Sequence, residues 1–478
     1  MAVLAPAESV VSAGEQCRTL DDLIHRQEAQ FLARQPKSRA LSERARRSLA
    51  GGATSSWMIA RPGTVWIDHG AGAKVFDADG TEYVDLHAGY GVMLVGHAHP
   101  AVVEAVNRRV ALGTHFAQPT HDAIIVAENL ADRFGLPVWR FGNSGTEATM
   151  DAVHLMRAIT GRDLIIKVEG TYHGHHDSVM VSMYNDVSEL GPIGRPHSVP
   201  AGAGIPRDIV QLTRVVPFNN LDVLEAVLDE CAGRVAGMIL EPMMMNAGIV
   251  PPQPGYLEGV RMLTKKYGVL LAFDEVKTGL SVGPAGMTGL SGVTPDIVCL
   301  AKALGGGLPC GAIGATAEVM AAIADGRYDQ VGTFNGNPLT MAAARATLTE
   351  VLTPGAYAEF DRLGSIMMSG ALNALHDVGV PVYGHRFGAK GCLIFHPRPV
   401  RNYREYLSVD SELSHAHWLF QHNGGVFLPP WGKSEQWTLS VQHTESDAQR
   451  FVDNVGKFAV ALSQLDSWET NRAQEMYA

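Results

Sequence analysis

The sequence predicts an α/β protein whose main sheet is mostly parallel. Between about residues 120 and 330, short apolar runs of strand length alternate with segments of helical periodicity. Runs such as VAGMILEP and GVLLAFDEV lack the polar alternation of a half-exposed sheet, so both sheet faces should be covered. Several runs end at a carboxylate or a lysine, and ligands of such sheets bind beyond the carboxyl ends of the strands.

The segments on either side predict a smaller α+β part. Residues 20–49 have helical periodicity, and residues 64–86 alternate apolar and polar residues around Asp79-Gly80, which predicts a β-hairpin. A further helix should begin at Pro100. After about residue 340, helices alternate with short strands.

The expected domain organisation is a large domain flanked by two parts of a small one. We predict that residues 1–74 belong to the small domain, 75–335 form the large domain, and 336–478 complete the small domain. The Gly- and Pro-rich segment 189–206 is predicted to be a long mobile loop, a common form for an active-site lid.

Composition excludes several classes of protein. A charge of −11 over 478 residues argues against a nucleic-acid groove, and no apolar run is long enough to span a membrane. The first thirty residues carry acidic residues such as Glu8 and Glu15 and no basic segment, so we expect no signal peptide. Five cysteines without CxxC spacing predict neither a disulfide framework nor a zinc ribbon. A cytoplasmic enzyme is therefore expected.

A candidate phosphate site follows the predicted strand VWRF. Ser144, Gly145 and Thr146 open a helix there, and free N–H groups at a helix N-terminus bind phosphate. The alternative is an ordinary N-cap without a ligand.

Two charged residues stand at the ends of later strands. Asp274 ends a buried run, where a carboxylate is costly unless a cation such as a protonated ring nitrogen meets it. The alternative is that Asp274 has a structural role and forms hydrogen bonds to the loop that follows the strand. Lys302 closes the run DIVCL, and partial desolvation there would lower its pKa and favour Schiff-base formation. A solvated surface lysine is the alternative. Together, the phosphate site, Asp274 and Lys302 are the groups that pyridoxal 5'-phosphate (PLP) requires.

Six motifs in order carry a resemblance to a known family: NSGTEA, TYHGHHD, LEPMMMNAG, FDEV, LAKALGGGLPCGAIG and GTFNGNPLTMAAA. The chain resembles the class III PLP-dependent aminotransferases of fold type I, in the branch similar to glutamate-1-semialdehyde 2,1-aminomutase. The resemblance implies a large domain with a mostly parallel seven-stranded sheet and a smaller α+β domain. It also implies an aminotransferase that moves an amino group from an amine or amino acid to a keto acid, ketone or aldehyde.

The same resemblance implies roles for individual residues. Lys302 would form the Schiff base and move the proton, Asp274 would keep the pyridine nitrogen protonated, and Tyr172 would stack on the ring. The other implied cofactor residues are Ser144, Gly145 and Thr146 at the phosphate, Val276 on the second ring face, Glu241 and Asn246 near the ring hydroxyl, and Thr333 from a partner subunit. A site completed by a partner implies a homodimer. No metal site is assigned to the HGHHD string.

Two departures from the aminomutase pattern bear on the substrate. Met58 stands where the mutase has an arginine for the substrate carboxylate, which a thioether cannot replace, although Arg61 is nearby. The segment after HGHHD also lacks the mutase gate, which favours a transaminase that releases its products. Glu435 still matches a mutase position, so the aminomutase remains the alternative. The substrate-binding candidates are Trp57, Met58, Tyr90 and Glu435, and the aromatic ones predict an apolar pocket.

Overall fold

The computed structural model describes residues 17–430 and 436–466. The strands are β1 (Ile67–Ala71), β2 (Lys74–Asp77), β3 (Glu82–Asp85), β4 (Val138–Gly142), β5 (Leu164–Val168), β6 (Thr213–Val216), β7 (Val235–Leu240), β8 (Leu270–Asp274), β9 (Ile297–Leu300), β10 (Gly311–Ala315), β11 (Tyr383–Phe387), β12 (Lys390–Ile394), β13 (Val426–Phe427) and β14 (Gln436–Thr438).

The α-helices are α1 (Leu20–Ala33), α2 (Pro36–Ala45), α3 (Ala88–Gly91), α4 (Pro100–Val110), α5 (His121–Phe134), α6 (Gly145–Thr160), α7 (Arg207–Val210), α8 (Leu221–Glu230), α9 (Tyr256–Lys266), α10 (Gly286–Ser291), α11 (Ala317–Ala324), α12 (Pro338–Ala346), α13 (Pro354–His376), α14 (Tyr403–Tyr406), α15 (Ser411–Asn423) and α16 (Glu445–Ser463). Short 3₁₀ turns span Ala50–Gly52, Ser56–Met58 and Lys302–Gly305, and a π turn spans Thr347–Val351. No described helix combines the length and apolar character needed to cross a bilayer.

The largest sheet has seven strands in the order β4-β10-β9-β8-β7-β5-β6. Strand β10 runs antiparallel to β4 and β9, and the other neighbours are parallel. Every residue of β5, β7, β9 and β10 is buried. This confirms the predicted α/β class and the mostly parallel seven-stranded sheet, and it explains why these strands are continuous apolar runs.

Two smaller sheets lie outside the large one. The first has the order β1-β2-β3-β13, and the second has the order β11-β12-β14. Strands β2 and β3 form the hairpin predicted around Asp79-Gly80. Strand β13 pairs in parallel with β3, which joins the N-terminal hairpin to the C-terminal part of the chain. The predicted domain division stays a prediction, and its boundary at 74/75 would cut into β2.

The helical periodicity of residues 20–49 corresponds to two helices, α1 and α2, the second of which begins at Pro36. Proline lacks the N–H that a continuing helix needs and is favoured in a first turn, so it ends one helix and begins the next. The helix predicted from Pro100 begins there.

Candidate active site

A cavity of about 890 Å³ lies at the carboxyl ends of the parallel strands, where the large sheet meets the smaller ones. We name its two sides by their residues. The large-sheet wall comprises Ser144, Gly145, Thr146, Tyr172, Glu241, Asp274, Val276 and Lys302. The small-sheet wall comprises His87, Tyr90, Lys390, Gln436 and Thr438. The described residues that line the cavity thus come from distant parts of the chain.

Ser144 is the N-cap of α6, and its Oγ accepts a hydrogen bond from the backbone N–H of Glu147 at 3.2 Å. The capping interpretation and the phosphate-site interpretation are therefore compatible, because other N–H groups of the first turn remain for a ligand. Gly145 is required sterically, since a Cβ there would lie 2.9 Å and 3.0 Å from the two Val276 methyl groups. The Thr146 hydroxyl accepts from the backbone N–H of His175 at 3.1 Å, which ties the helix start to the loop after β5.

Asp274 ends β8 and is only 5% exposed. One carboxylate oxygen lies 2.8 Å from Nδ1 of His173, and the other accepts from the backbone N–H of Val276 at 3.0 Å. The Nε2 atom of His173 is buried without a hydrogen-bond partner among the described residues. Sequence reasoning missed His173 because the HGHHD string was weighed only as a possible metal site.

Glu241 directly follows β7, and its carboxylate holds neighbouring parts of the large-sheet wall in place. Its Oε1 accepts from the backbone N–H of Tyr172 at 3.1 Å and from Nδ2 of Asn246 at 2.9 Å. Its Oε2 accepts from the backbone N–H of Met245 at 2.7 Å. Three donors thus compensate this buried carboxylate and fix the position of Tyr172. The Tyr172 ring also makes an edge contact with Trp57, with 5.2 Å between ring centroids.

Lys302 begins the turn after β9 in a left-handed conformation, with φ of +46°. A lysine in that region is strained and persists only where its surroundings impose it. Burial lowers the pKa of Lys302, and the negative charges of Asp274 and Glu241 oppose this effect in part. A lowered pKa leaves more of the free amine, which is the form that attacks a carbonyl.

The structure divides the substrate-binding candidates. Trp57 and Tyr90 line the cavity, and the Tyr90 hydroxyl donates to the Trp57 carbonyl oxygen at 2.8 Å. Met58 is half exposed and does not line the cavity. Its sulfur accepts a hydrogen bond from the Thr54 hydroxyl. The structure thus does not bring Met58 to the site, because the turn that places Trp57 inward points its neighbour elsewhere.

Arg61 does not replace the missing arginine. Its guanidinium lies 2.6 Å from Glu28 and 3.3 Å from Glu412, outside the cavity lining. Thr333 is exposed in the loop before α12 and does not line the cavity of its own chain. Glu435 lies outside the described residues.

The segment 189–206 forms no helix or strand, but none of it lines the cavity. Met183 and Tyr184, which precede it, do. Arg404 holds the start of the segment, with hydrogen bonds to the carbonyl oxygens of Leu190 at 3.0 Å and Gly191 at 2.5 Å. The segment predicted as a lid is therefore a loop outside the cavity lining, because Gly and Pro content indicates a loop without indicating what it covers.

Comparisons with known proteins agree with this geometry. The model of the family described as "Aminotransferase class-III" matches residues 58–384. A glutamate-1-semialdehyde 2,1-aminomutase 2 from Brevibacillus brevis is 39% identical over 391 residues, which cover 81% of this chain and 89% of that protein. The chain belongs to the class-III aminotransferase family.

Solved structures extend the similarity to the fold. An omega-transaminase from Sphaerobacter thermophilus superimposes with a TM-score of 0.84 at 35% identity, covering 91% of this chain and 99% of the other. A glutamate-1-semialdehyde-aminomutase from Pseudomonas aeruginosa PAO1 in complex with PMP has a TM-score of 0.84 at 31% identity. The match covers 93% of this chain and 98% of the other. Similar proteins therefore include both a mutase and a transaminase.

The residues of the large-sheet wall fit PLP. The N-terminus of α6 provides N–H groups for a phosphate, and Gly145 keeps the space between that turn and Val276 free of a side chain. Asp274 provides a buried carboxylate for a protonated ring nitrogen, and Lys302 provides an amine of lowered pKa. An anion site, a carboxylate and an amine on one wall are the donor set that this cofactor needs.

Proposed function

We propose that the protein is a PLP-dependent aminotransferase that moves an amino group from an amine or amino acid to a keto acid, ketone or aldehyde. The observation that carries this proposal is the meeting of three groups at one cavity: the α6 N-terminus, the Asp274 carboxylate and the Lys302 amine. Membership of the class-III family supports it.

When bound, PLP supplies an electron sink that stabilises negative charge on the substrate carbon. The chain's residues supply the rest. Ser144, Gly145 and Thr146 would bind the phosphate, and Asp274, whose carboxylate is fixed by His173, would hold a proton on the ring nitrogen. Lys302 carries the mobile proton on its Nζ, for which a lowered pKa suits it.

The ring environment is set by the loops after β5, β7 and β8. Tyr172, held by Glu241 and Trp57, would pack against one ring face. Val276, next to Gly145, would pack against the other. Asn246, which donates to Glu241, would line the polar side of the ring. Each of these side chains lies in the cavity lining and is held by contacts within the protein.

The proposed assembly is a homodimer. Thr333 stands in an exposed loop and is absent from the cavity lining, and the adjacent Val331 and Phe334 are 83% and 58% exposed. We propose that this loop enters the partner's cavity, where Thr333 contacts the cofactor phosphate. Sedimentation equilibrium of the wild type and of Thr333→Ala, combined with their cofactor affinities, tests this assignment.

The cofactor assignment is tested by borohydride reduction of the purified protein, followed by peptide mass spectrometry. The cofactor mass should be fixed on Lys302 in the wild type and lost in Lys302→Ala. Lys277→Met provides a matched control, because it removes a neighbouring amine and should leave the Lys302 label in place. A colourless protein with no label on Lys302 would refute the proposal.

The alternative function is a 2,1-aminomutase, which the curated relatives at 37–41% identity favour. A transaminase needs an external acceptor for turnover, whereas a mutase converts glutamate 1-semialdehyde to its isomer without one. The absence of Met58 and Arg61 from the cavity lining supports the transaminase. Multiple turnovers of glutamate 1-semialdehyde with no acceptor present would establish the mutase instead.

A further inference from the structure

The cavity lining includes three lysines and, among the described residues, no arginine. Lys302 is accounted for by the proposed function. Lys277 stands in the loop after β8, and Lys390 begins β12 in the small-sheet wall. The proposed function gives neither Lys277 nor Lys390 a role in holding the cofactor, so their presence at the cavity requires a separate explanation.

Among the described residues, Lys390 is a buried lysine without a carboxylate partner. Its side chain is 1% exposed, and its Nζ donates to the Thr438 hydroxyl at 2.8 Å. Within the described part of the chain, no carboxylate lies within ion-pair distance of it. A buried ammonium with a single neutral acceptor is costly, and an apolar side chain would pack there at lower cost.

The fold keeps space for this ammonium. A Cβ on Gly91 would lie 2.0 Å from the Lys390 Nζ, so only glycine at position 91 allows the ammonium its present place. Gly91 also has a φ of +91°, which a residue with a side chain rarely adopts. The backbone conformation requires glycine at this position, and the missing side chain leaves room for the Lys390 ammonium.

Lys277 lies beside the same strand as Lys390. Its Nζ donates to the Met245 carbonyl oxygen at 2.9 Å, and Gln436 Nε2 donates to that same oxygen at 2.5 Å. Gln436 and Thr438 are two residues apart on β14, so their side chains share one face about 7 Å apart. Lys277 and Lys390 therefore approach one face of one short strand.

The electrostatics are consistent with this proximity. Burial lowers the pKa of Lys390 well below its usual value, and the charges of Lys277 and Lys302 lower it further. Burial lowers the pKa of Lys277 to about 8 and Lys302 lowers it further, whereas the carboxylates of Glu241 and Asp274 oppose the shift. Burial lowers the pKa of His87 to about 4; Lys390 and Lys277 add to this effect, and Asp85 opposes it. An anion bound beside Lys390 would offset the repulsion that Lys277 and Lys302 exert on it.

We propose that Lys277 and Lys390 form an anion subsite that binds a carboxylate of the amino donor or acceptor. This inference rests on the proposed function and specifies its substrate class: amino acids and keto acids rather than simple amines and ketones. The subsite replaces the arginine absent from position 58 with cations that lie elsewhere in the sequence. A bound carboxylate would accept hydrogen bonds from the two ammonium groups.

The test compares two probes with the holoenzyme, 3-phenylpropanoate and the uncharged 3-phenylpropan-1-ol, by calorimetry. In Lys390→Met and Lys277→Met, 3-phenylpropanoate should bind at least about 10-fold more weakly, because a charged hydrogen bond is lost. Binding of the alcohol should not change. Lys266→Met, which removes an exposed lysine paired with Glu225, is the matched control for loss of one charge.

The kinetic counterpart uses 3-amino-3-phenylpropanoate and 1-phenylethylamine as donors. Both variants should lose kcat/KM for the donor with a carboxylate and keep it for the amine. Equal binding of the two calorimetric probes by the wild type, or equal loss for both donors in both variants, would overturn the subsite. Failure of the proposed function is distinguishable, because it would appear as absence of cofactor on Lys302 before any probe is added.

Discussion

The two walls of the cavity differ in how many hydrogen-bond partners their buried charged groups have. On the large-sheet wall, each buried carboxylate is compensated: Asp274 by His173 and a backbone N–H, and Glu241 by three donors. On the small-sheet wall, the one hydrogen-bond partner of the Lys390 amine among the described residues is the Thr438 hydroxyl. The difference indicates that the large-sheet wall is organised before any substrate arrives. The small-sheet wall holds a lysine whose pKa is lowered by burial, and a bound anion would favour its charged form.

The largest effect is expected from Asp274→Asn on the large-sheet wall. The amide keeps the shape of the side chain and removes the negative charge that holds a proton on the ring nitrogen. We expect kcat for amino transfer to fall by about 100-fold or more. Borohydride should still fix the cofactor on Lys302, which shows that the site is assembled. An unchanged kcat would remove Asp274 from the proposed mechanism.

The next effect is expected from Gly145→Ala, which tests how closely the large-sheet wall is packed. The new Cβ would meet the Val276 methyl groups at 2.9 Å and 3.0 Å and displace them toward the cofactor. Cofactor affinity, measured by fluorescence titration of the apoprotein, should fall by about 10-fold. Val276→Ala removes the clash, so the double variant should recover most of that affinity. If the two substitutions lowered cofactor affinity additively, the loss in Gly145→Ala would not arise from the contact with Val276.

A smaller effect is expected from His173→Phe, which keeps an aromatic ring and removes the hydrogen bond to Asp274. As a positioning residue, His173 should influence kcat more than KM, by about 10-fold. His173→Gln retains a donor and should restore part of the rate. If Gln and Phe behave alike, the hydrogen bond at 2.8 Å does not position the carboxylate.

The smallest effect concerns stability and the small-sheet wall. The pKa of Lys390 is lowered in the folded state from 10.5, so between the two pKa values the unfolded chain binds more protons and wild-type stability rises with pH. Lys390→Met lacks this dependence. Its free energy of unfolding should therefore exceed that of the wild type at neutral pH, and the difference should shrink as pH approaches 10.5. Urea titrations at several pH values measure this, with Lys266→Met as the control.

The same comparison shows which parts of the site could be predicted from the sequence. Ser144, Asp274 and Lys302 each stand at the end of an apolar run, so a local pattern and the geometry of parallel sheets were enough to locate them. His173 stands beside Tyr172 in a predicted motif, but its contact with Asp274 spans 101 residues of sequence. No local pattern distinguishes that contact from a metal site or a surface loop.

The sequence by itself determined the α/β class, the alternation of strands and helices along the large-sheet segment, and the strand-end groups that suit PLP. Those features depend on periodicity and on neighbours a few residues apart. Only the tertiary structure decided that Met58 and Arg61 lie outside the cavity while Lys277 and Lys390 line it. The reason is that β12 and β14 come from the far end of the chain and reach the cavity through sheet pairing and packing, which no local pattern encodes.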